Sequence, residues 1–238
     1  MIIPSHFVIN GVPALLYGQD CGRVFLHVHG QFGCKEEASR LVEIICPRGY
    51  QVLSVDLPGH GERISRPDCF VPWEAVPELR KLFAYARKRW SRISLYAVSI
   101  GAYFSLLAFR NVRIEKSMFV SPILDMDKLI RDRMQLENIT REQLREAGEI
   151  PISSGEPLSW KYLQYAEENR ITEWSSPTAI LYAGGDTLTD RQTVNRFMEK
   201  FPCSLTVMED GEHWFHTPEQ LGVLENWIKN ETEHKDGE

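Results

Sequence analysis

The sequence has no Cys-x-x-Cys pair, and its five cysteines are an odd number, scattered as Cys21, Cys34, Cys46, Cys69 and Cys203. That argues against a disulfide framework or a thiolate zinc site and fits reduced thiols in a cytoplasm. The seven histidines are dispersed, so no clustered ligand set for a metal is expected. There is no long basic run, and the net charge is −6, which speaks against a nucleic-acid surface. No apolar run approaches the length of a membrane span, and no basic amphipathic face suggests binding to a lipid surface. The opening Met1-Ile2-Ile3-Pro4-Ser5-His6 has no basic region followed by an apolar block, so no secretory signal is expected. Repeats and low-complexity tracts are absent too. Gly30–Gly33 match neither a dinucleotide nor a phosphate-loop pattern, and no cofactor is expected. These absences leave a cytoplasmic protein whose partner is a small molecule; they say nothing of its oligomeric state.

What is present is an ordinary globular composition, 43% hydrophobic and 25% charged, in a chain long enough for one α/β domain. Asn10-Gly11 between two apolar runs predicts a hairpin. Strands are predicted at 23–29, 51–55, just before Ser99 (Ile93, Leu95, Ala97), 114–120, 178–182 and 204–208. Between them lie helical patterns at 36–46, 74–90, from Ile100, 191–201 and 218–229. Such alternation implies right-handed crossovers and a mostly parallel sheet flanked by helices. Residues 122–176 break the pattern: they show helical periodicity, a Pro/Gly/Ser-rich break at 150–157 and no strand. With eleven acidic and seven basic residues, they carry about four of the six net negative charges. The expected organisation is a core of residues 1–121 and 177–238 with a helical cap inserted at 122–176. The plainer alternative is a long crossover with solvated helix faces.

In an open parallel sheet, reactive groups gather at the carboxyl ends of the strands. Ser99 lies between a strand-like and a helix-like run, in Ala97-Val98-Ser99-Ile100-Gly101. Small residues on either side suit a sharp strand–turn–helix elbow that presents a hydroxyl, with Ala97 where a glycine is usual. The same pentapeptide also describes a serine that merely caps the helix starting at Ile100. The other strand ends deliver His29-Gly30-Gln31-Phe32-Gly33, Asp56-Leu57-Pro58-Gly59-His60-Gly61, Gly184-Gly185-Asp186 and Gly211-Glu212-His213-Trp214. A serine, an acid and a histidine therefore arrive in that order at one sheet edge.

On these motifs the chain resembles the α/β-hydrolase superfamily over nearly its whole length. The resemblance implies Ser99 as nucleophile, His213 as general base and Asp186 as its orienting acid. The oxyanion donors would be the backbone N–H groups of Gln31 and Ile100. Asp190 and His216 compete as acid and base. Asp190 sits where a helix cap is expected, and His216 stands just before the last helix. His29 and His60 are expected to fix loops. Phe32, Tyr103, Trp160, Trp214 and, less directly, Trp73 are candidates for lining the substrate pocket. The expected activity is cleavage of a carboxylic ester of a small or medium acyl or aromatic substrate through an acyl-enzyme. Thioester, amide or carbon–carbon bond cleavage uses the same triad. A catalytically silent, hydrolase-fold binding protein is the alternative of a different class.

Overall fold

A computed structural model describes residues 2–66, 69–153 and 155–233. The Asn10-Gly11 turn, with both residues at positive φ, joins β1 (Ser5–Ile9) to β2 (Val12–Tyr17) as an antiparallel pair. β3 (Arg23–Val28), β4 (Gln51–Val55), β5 (Arg92–Val98), β6 (Ser117–Val120), β9 (Thr178–Ala183) and β10 (Cys203–Met208) then run parallel to one another. The eight-stranded sheet has the order β1-β2-β4-β3-β5-β6-β9-β10. Because β3 lies between β4 and β5, the chain winds both ways from the centre. Such a reversal is where open α/β sheets place ligands, outside the carboxyl ends of the strands.

The strand residues alternate between the two faces. Val24, Leu26 and Val28 of β3 join the core beneath α2 (Pro72–Arg89), α3 (Ile100–Phe109) and α7 (Arg191–Lys200). Phe25 points the other way, toward α1 (Ser39–Ile45) and α8 (Pro218–Glu231). Both faces are covered, so the central strands are buried along most of their length and mainly apolar, with His27, Gln51, Ser54, Ser94 and Ser117 as buried polar exceptions.

Two departures from the sequence expectations have physical causes. The predicted helix at 36–46 begins as a 3-10 turn over Lys35–Ala38, because the Lys35 N–H bonds the Asp56 carboxylate. The ladder of β6 starts at Ser117, although apolar character begins earlier; Ile114 is buried but its N–H goes to the Ser176 hydroxyl.

Between β6 and β9 lie α4 (Met126–Leu136), α5 (Arg141–Ala147) and α6 (Trp160–Glu168), as the periodicity predicts. They enclose one feature that the sequence did not reveal, a two-residue ladder between β7 (Glu149–Ile150) and β8 (Leu158–Ser159). Strands of that length carry no readable period. Glu167 pairs with Arg131 and Arg141, tying α6 to α4 and α5.

Two histidines of β3 and its end are buried and neutral. Burial pushes His27 down to about 3 and His29 to about 4, from an ordinary 6.5. Between pH 6.5 and those values the unfolded chain therefore binds more protons than the folded one. Their contribution is intact above pH 6.5 and is lost as the pH falls through this window. Urea midpoints measured from neutral pH downward should fall accordingly. The slope should be shallower in H27Q, which removes one of the two titrating rings.

Candidate active site

Ser99 links β5 to α3 with φ 51° and ψ −123°, a backbone conformation that non-glycine residues rarely adopt. It stands at the N-cap position, yet its side chain bonds no helix N–H. The capping alternative therefore does not describe this serine. The strained turn is held by its surroundings: the Ser99 N–H bonds the Val120 carbonyl at 2.9 Å, and the Ser99 carbonyl accepts from Ile123 at 3.1 Å. Gly101 packs so tightly on β3 that a Cβ would stand 2.4 Å from the His29 carbonyl oxygen. A Cβ on Gly30 would be 3.2 Å from that of Ser99.

The Ser99 hydroxyl lies 2.8 Å from His213 Nε2, and His213 Nδ1 lies 2.8 Å from Asp186 Oδ2. Asp186 is fully buried and accepts the N–H groups of Leu188 (2.7 Å) and Thr189 (3.1 Å) on its other oxygen. That fixes the carboxylate and leaves one oxygen for the imidazole. The Gly185 N–H bonds the Gly211 carbonyl at 2.9 Å, locking the acid's loop to the histidine's. The rival residues have other duties. Asp190 caps α7 through the Thr193 N–H and pairs with Lys128. Burial alone would raise its carboxyl, but these bonds outweigh it and hold it at about 2. His216 bonds the Trp214 carbonyl at 2.8 Å and stacks on the Trp214 ring.

Beside Ser99, the N–H groups of Gln31 and Ile100 make no hydrogen bond among the described residues. The loop that carries Gln31 is shaped by two imidazoles. His29 bonds the Gly30 carbonyl through Nδ1 (2.7 Å) and accepts the Leu57 N–H on Nε2 (3.0 Å). His60 accepts the N–H of Phe32, a residue at φ 63°, on Nε2 (2.9 Å) and faces the Pro58 carbonyl through Nδ1 (3.1 Å).

Sequence reasoning missed a charge cluster under this loop. Asp56, wholly buried, receives Lys35 Nζ at 2.8 Å, the Lys35 N–H at 2.9 Å and the Glu62 N–H at 3.1 Å. Burial opposes the charge on Lys35, yet its bonds to Asp56, Glu62 and Glu36 outweigh that and raise its pKa above the ordinary value. Asp56 was visible as the first residue of its strand-end motif. Nothing in sequence marked Lys35 as its partner.

The aromatic candidates divide. Phe32 and Trp214 lie on the loops carrying Gln31 and His213 and are 84% and 74% exposed. Tyr103 is buried and lines a cavity of about 330 Å³ with Leu124, Phe197 and Phe201; none of Ser99, Asp186 and His213 borders that cavity. Trp160 lies under the Arg141 guanidinium, 4.8 Å from its ring centre. Trp73 packs edge-on against Tyr162 and Tyr165 of α6. Among the described residues no group of histidine, cysteine and acidic side chains is placed to hold a metal, and no helix is long and apolar enough to cross a membrane.

Replacing Lys35 by methionine strands the buried Asp56 carboxylate, and losing one partner of such a pair costs about 3–5 kcal/mol. Urea unfolding should register that loss. G101A should also be destabilised, by about 1–3 kcal/mol, since the atom it meets is backbone that yields little.

No protein-family model and no curated protein matches the sequence. Solved structures do match in shape. Est1E from Butyrivibrio proteoclasticus with ferulic acid bound superposes with a TM-score of 0.76 at 18% identity, over 95% of this chain and 96% of its own. Alpha/beta hydrolase domain-containing protein 10 from mouse gives 0.76 at 14% identity, over 96% and 97%. The Pyrococcus furiosus esterase Pf2001 gives 0.64 at 17% identity, over 97% and 88%. With the parallel eight-stranded sheet, its two helical faces and the elbow at the end of β5, these likenesses establish that the chain has the α/β-hydrolase fold.

Proposed function

We propose that this protein is a serine hydrolase that cleaves a carboxylic ester of a small or medium acyl or aromatic substrate through an acyl-enzyme. The observation that carries the reading is the continuous chain from Ser99 Oγ through His213 to buried Asp186, with both links at 2.8 Å. Ser99 attacks the ester carbonyl while His213 Nε2 takes its proton and passes it to the departing alcohol. Asp186 holds the imidazole with its remaining proton on Nδ1 and stabilises the cation formed in that step. The oxyanion is received by the unoccupied N–H groups of Gln31 and Ile100, on loops that are shaped before substrate arrives. Water, activated by the same imidazole, then releases the acid.

In this reading residues 122–176 are a cap over the core of residues 1–121 and 177–238. Exposed Phe32 and Trp214 offer an apolar rim beside the nucleophile. Est1E, which shares the fold, was solved with an aromatic acid, ferulic acid, bound. A panel of aryl esters with acyl groups of increasing length, aromatic ones included, therefore maps the pocket.

A fluorophosphonate probe should label the wild-type protein and not S99A. Labelling that survives the substitution removes Ser99 as nucleophile, and a folded wild-type protein that resists labelling points to a binding protein instead. D186N should keep the fold yet lose about a thousand- to ten-thousandfold in kcat, because the imidazole is then held in the wrong tautomer.

A further inference from the structure

The loop between β7 and β8 reaches back to the nucleophile's surroundings. Glu156 Oε1 accepts a hydrogen bond from Gln31 Nε2 at 2.9 Å, joining residues 125 positions apart in sequence. Gln31 is the residue whose backbone N–H is left free beside Ser99. A carboxylate of the inserted segment thus stands one glutamine side chain away from the place where the reaction develops negative charge.

Glu156 makes no ion pair among the described residues. The Arg133 guanidinium stands against Gly155, close enough that a Cβ there would meet it at 3.3 Å, yet makes no ion pair with Glu156. The cations on adjoining strand ends are already taken: Lys35 by Asp56, Glu62 and Glu36, and Arg63 by Glu78. A second exposed carboxylate, Glu212, lies next to His213. The loop bearing Glu156 is braced on α4, where Ser153 donates to Glu137 at 2.9 Å.

We infer that Glu156 is a specificity-determining residue that sets the charge class of the substrate, favouring uncharged and cationic esters over anionic ones. The inference rests on the ester-hydrolase reading above. An acyl or alcohol group carrying a carboxylate would bring a second negative charge toward Glu156 and the forming oxyanion together. A cationic group would be drawn to the same place. Because Glu156 is exposed, salt screens its effect.

The test uses three p-nitrophenyl esters of similar length: the neutral butyrate, the anionic monoester of glutarate and the cationic 4-(trimethylammonio)butanoate. At low salt, the ratio of kcat/KM for anionic over neutral ester should rise about two- to fourfold in E156Q and about five- to tenfold in E156K. The ratio for cationic over neutral ester should fall in the same order, and half-molar salt should compress all of these differences. Ratios identical in wild type, E156Q and E156K overturn the inference, even where salt alters the wild-type ratio, since the field then comes from other groups. Fluorophosphonate labelling of the same preparations separates the two readings. A labelled but charge-indifferent set removes the role of Glu156 alone, whereas an unlabelled wild-type protein overturns the hydrolase reading and this one with it.

Discussion

The site depends on how closely β3 and β5 approach at their carboxyl ends. Val28 lies opposite Ala97 in the last pair of their ladder, and the chain beyond each strand turns away at once. At that point Gly101 rests on the His29 carbonyl, with no room for a side chain, and Gly30 rests tightly on Ser99. This contact, together with the bonds from Ser99 to Val120 and Ile123, holds Ser99 in its unfavourable φ. Ser99 is followed directly by Ile100 and Gly30 by Gln31, the two residues whose N–H groups make no hydrogen bond among the described residues.

Polar groups then lock what the packing arranges. Asp56 draws Lys35 and Glu62 together beneath the loop, while His29 and His60 each tie one of its residues to the chain after β4. On the opposite side, Asp186 is fixed by two backbone amides and its loop by a bond to Gly211. Groups fixed in this way need little reorganisation, which is what electrostatic stabilisation in the proposed reaction requires. The strained turn at Ser99 opposes stability, and burying the charges of the Asp56 cluster has a desolvation cost that its bonds must offset. The large apolar cores on the two faces of the sheet supply the stability against which the strained turn is held.

Much of this was legible in the chain because the chemistry is local to strand ends. Ser99, Asp186 and His213 each follow an apolar run and sit among glycines that permit a tight turn. Asp190 and His216 occupied helix-start positions in the sequence and do so in the structure. The aromatic candidates were harder to place. Apolar character says that Tyr103 and Trp73 are buried or packed, but it does not say against what. Tyr103 faces a cavity away from the triad, and Trp73 faces α6. Similarly, β7 and β8 are too short to show a period, so they escaped notice.

From residue order alone came the mostly parallel sheet, the elbow, the serine–acid–histidine order and the helices between β6 and β9. Each follows from short-range patterns such as alternation, capping, turn residues and apolar runs. Only the tertiary structure decided that Ser99 does not cap its helix, that Lys35 is the buried partner of Asp56 and that Glu156 reaches Gln31. Those outcomes join residues far apart in sequence, from 21 positions for Lys35 and Asp56 to 125 for Gln31 and Glu156. Local pattern carries no information about such pairs. They are fixed by which strand ends the sheet order places side by side, and by which charges are left without water once it does.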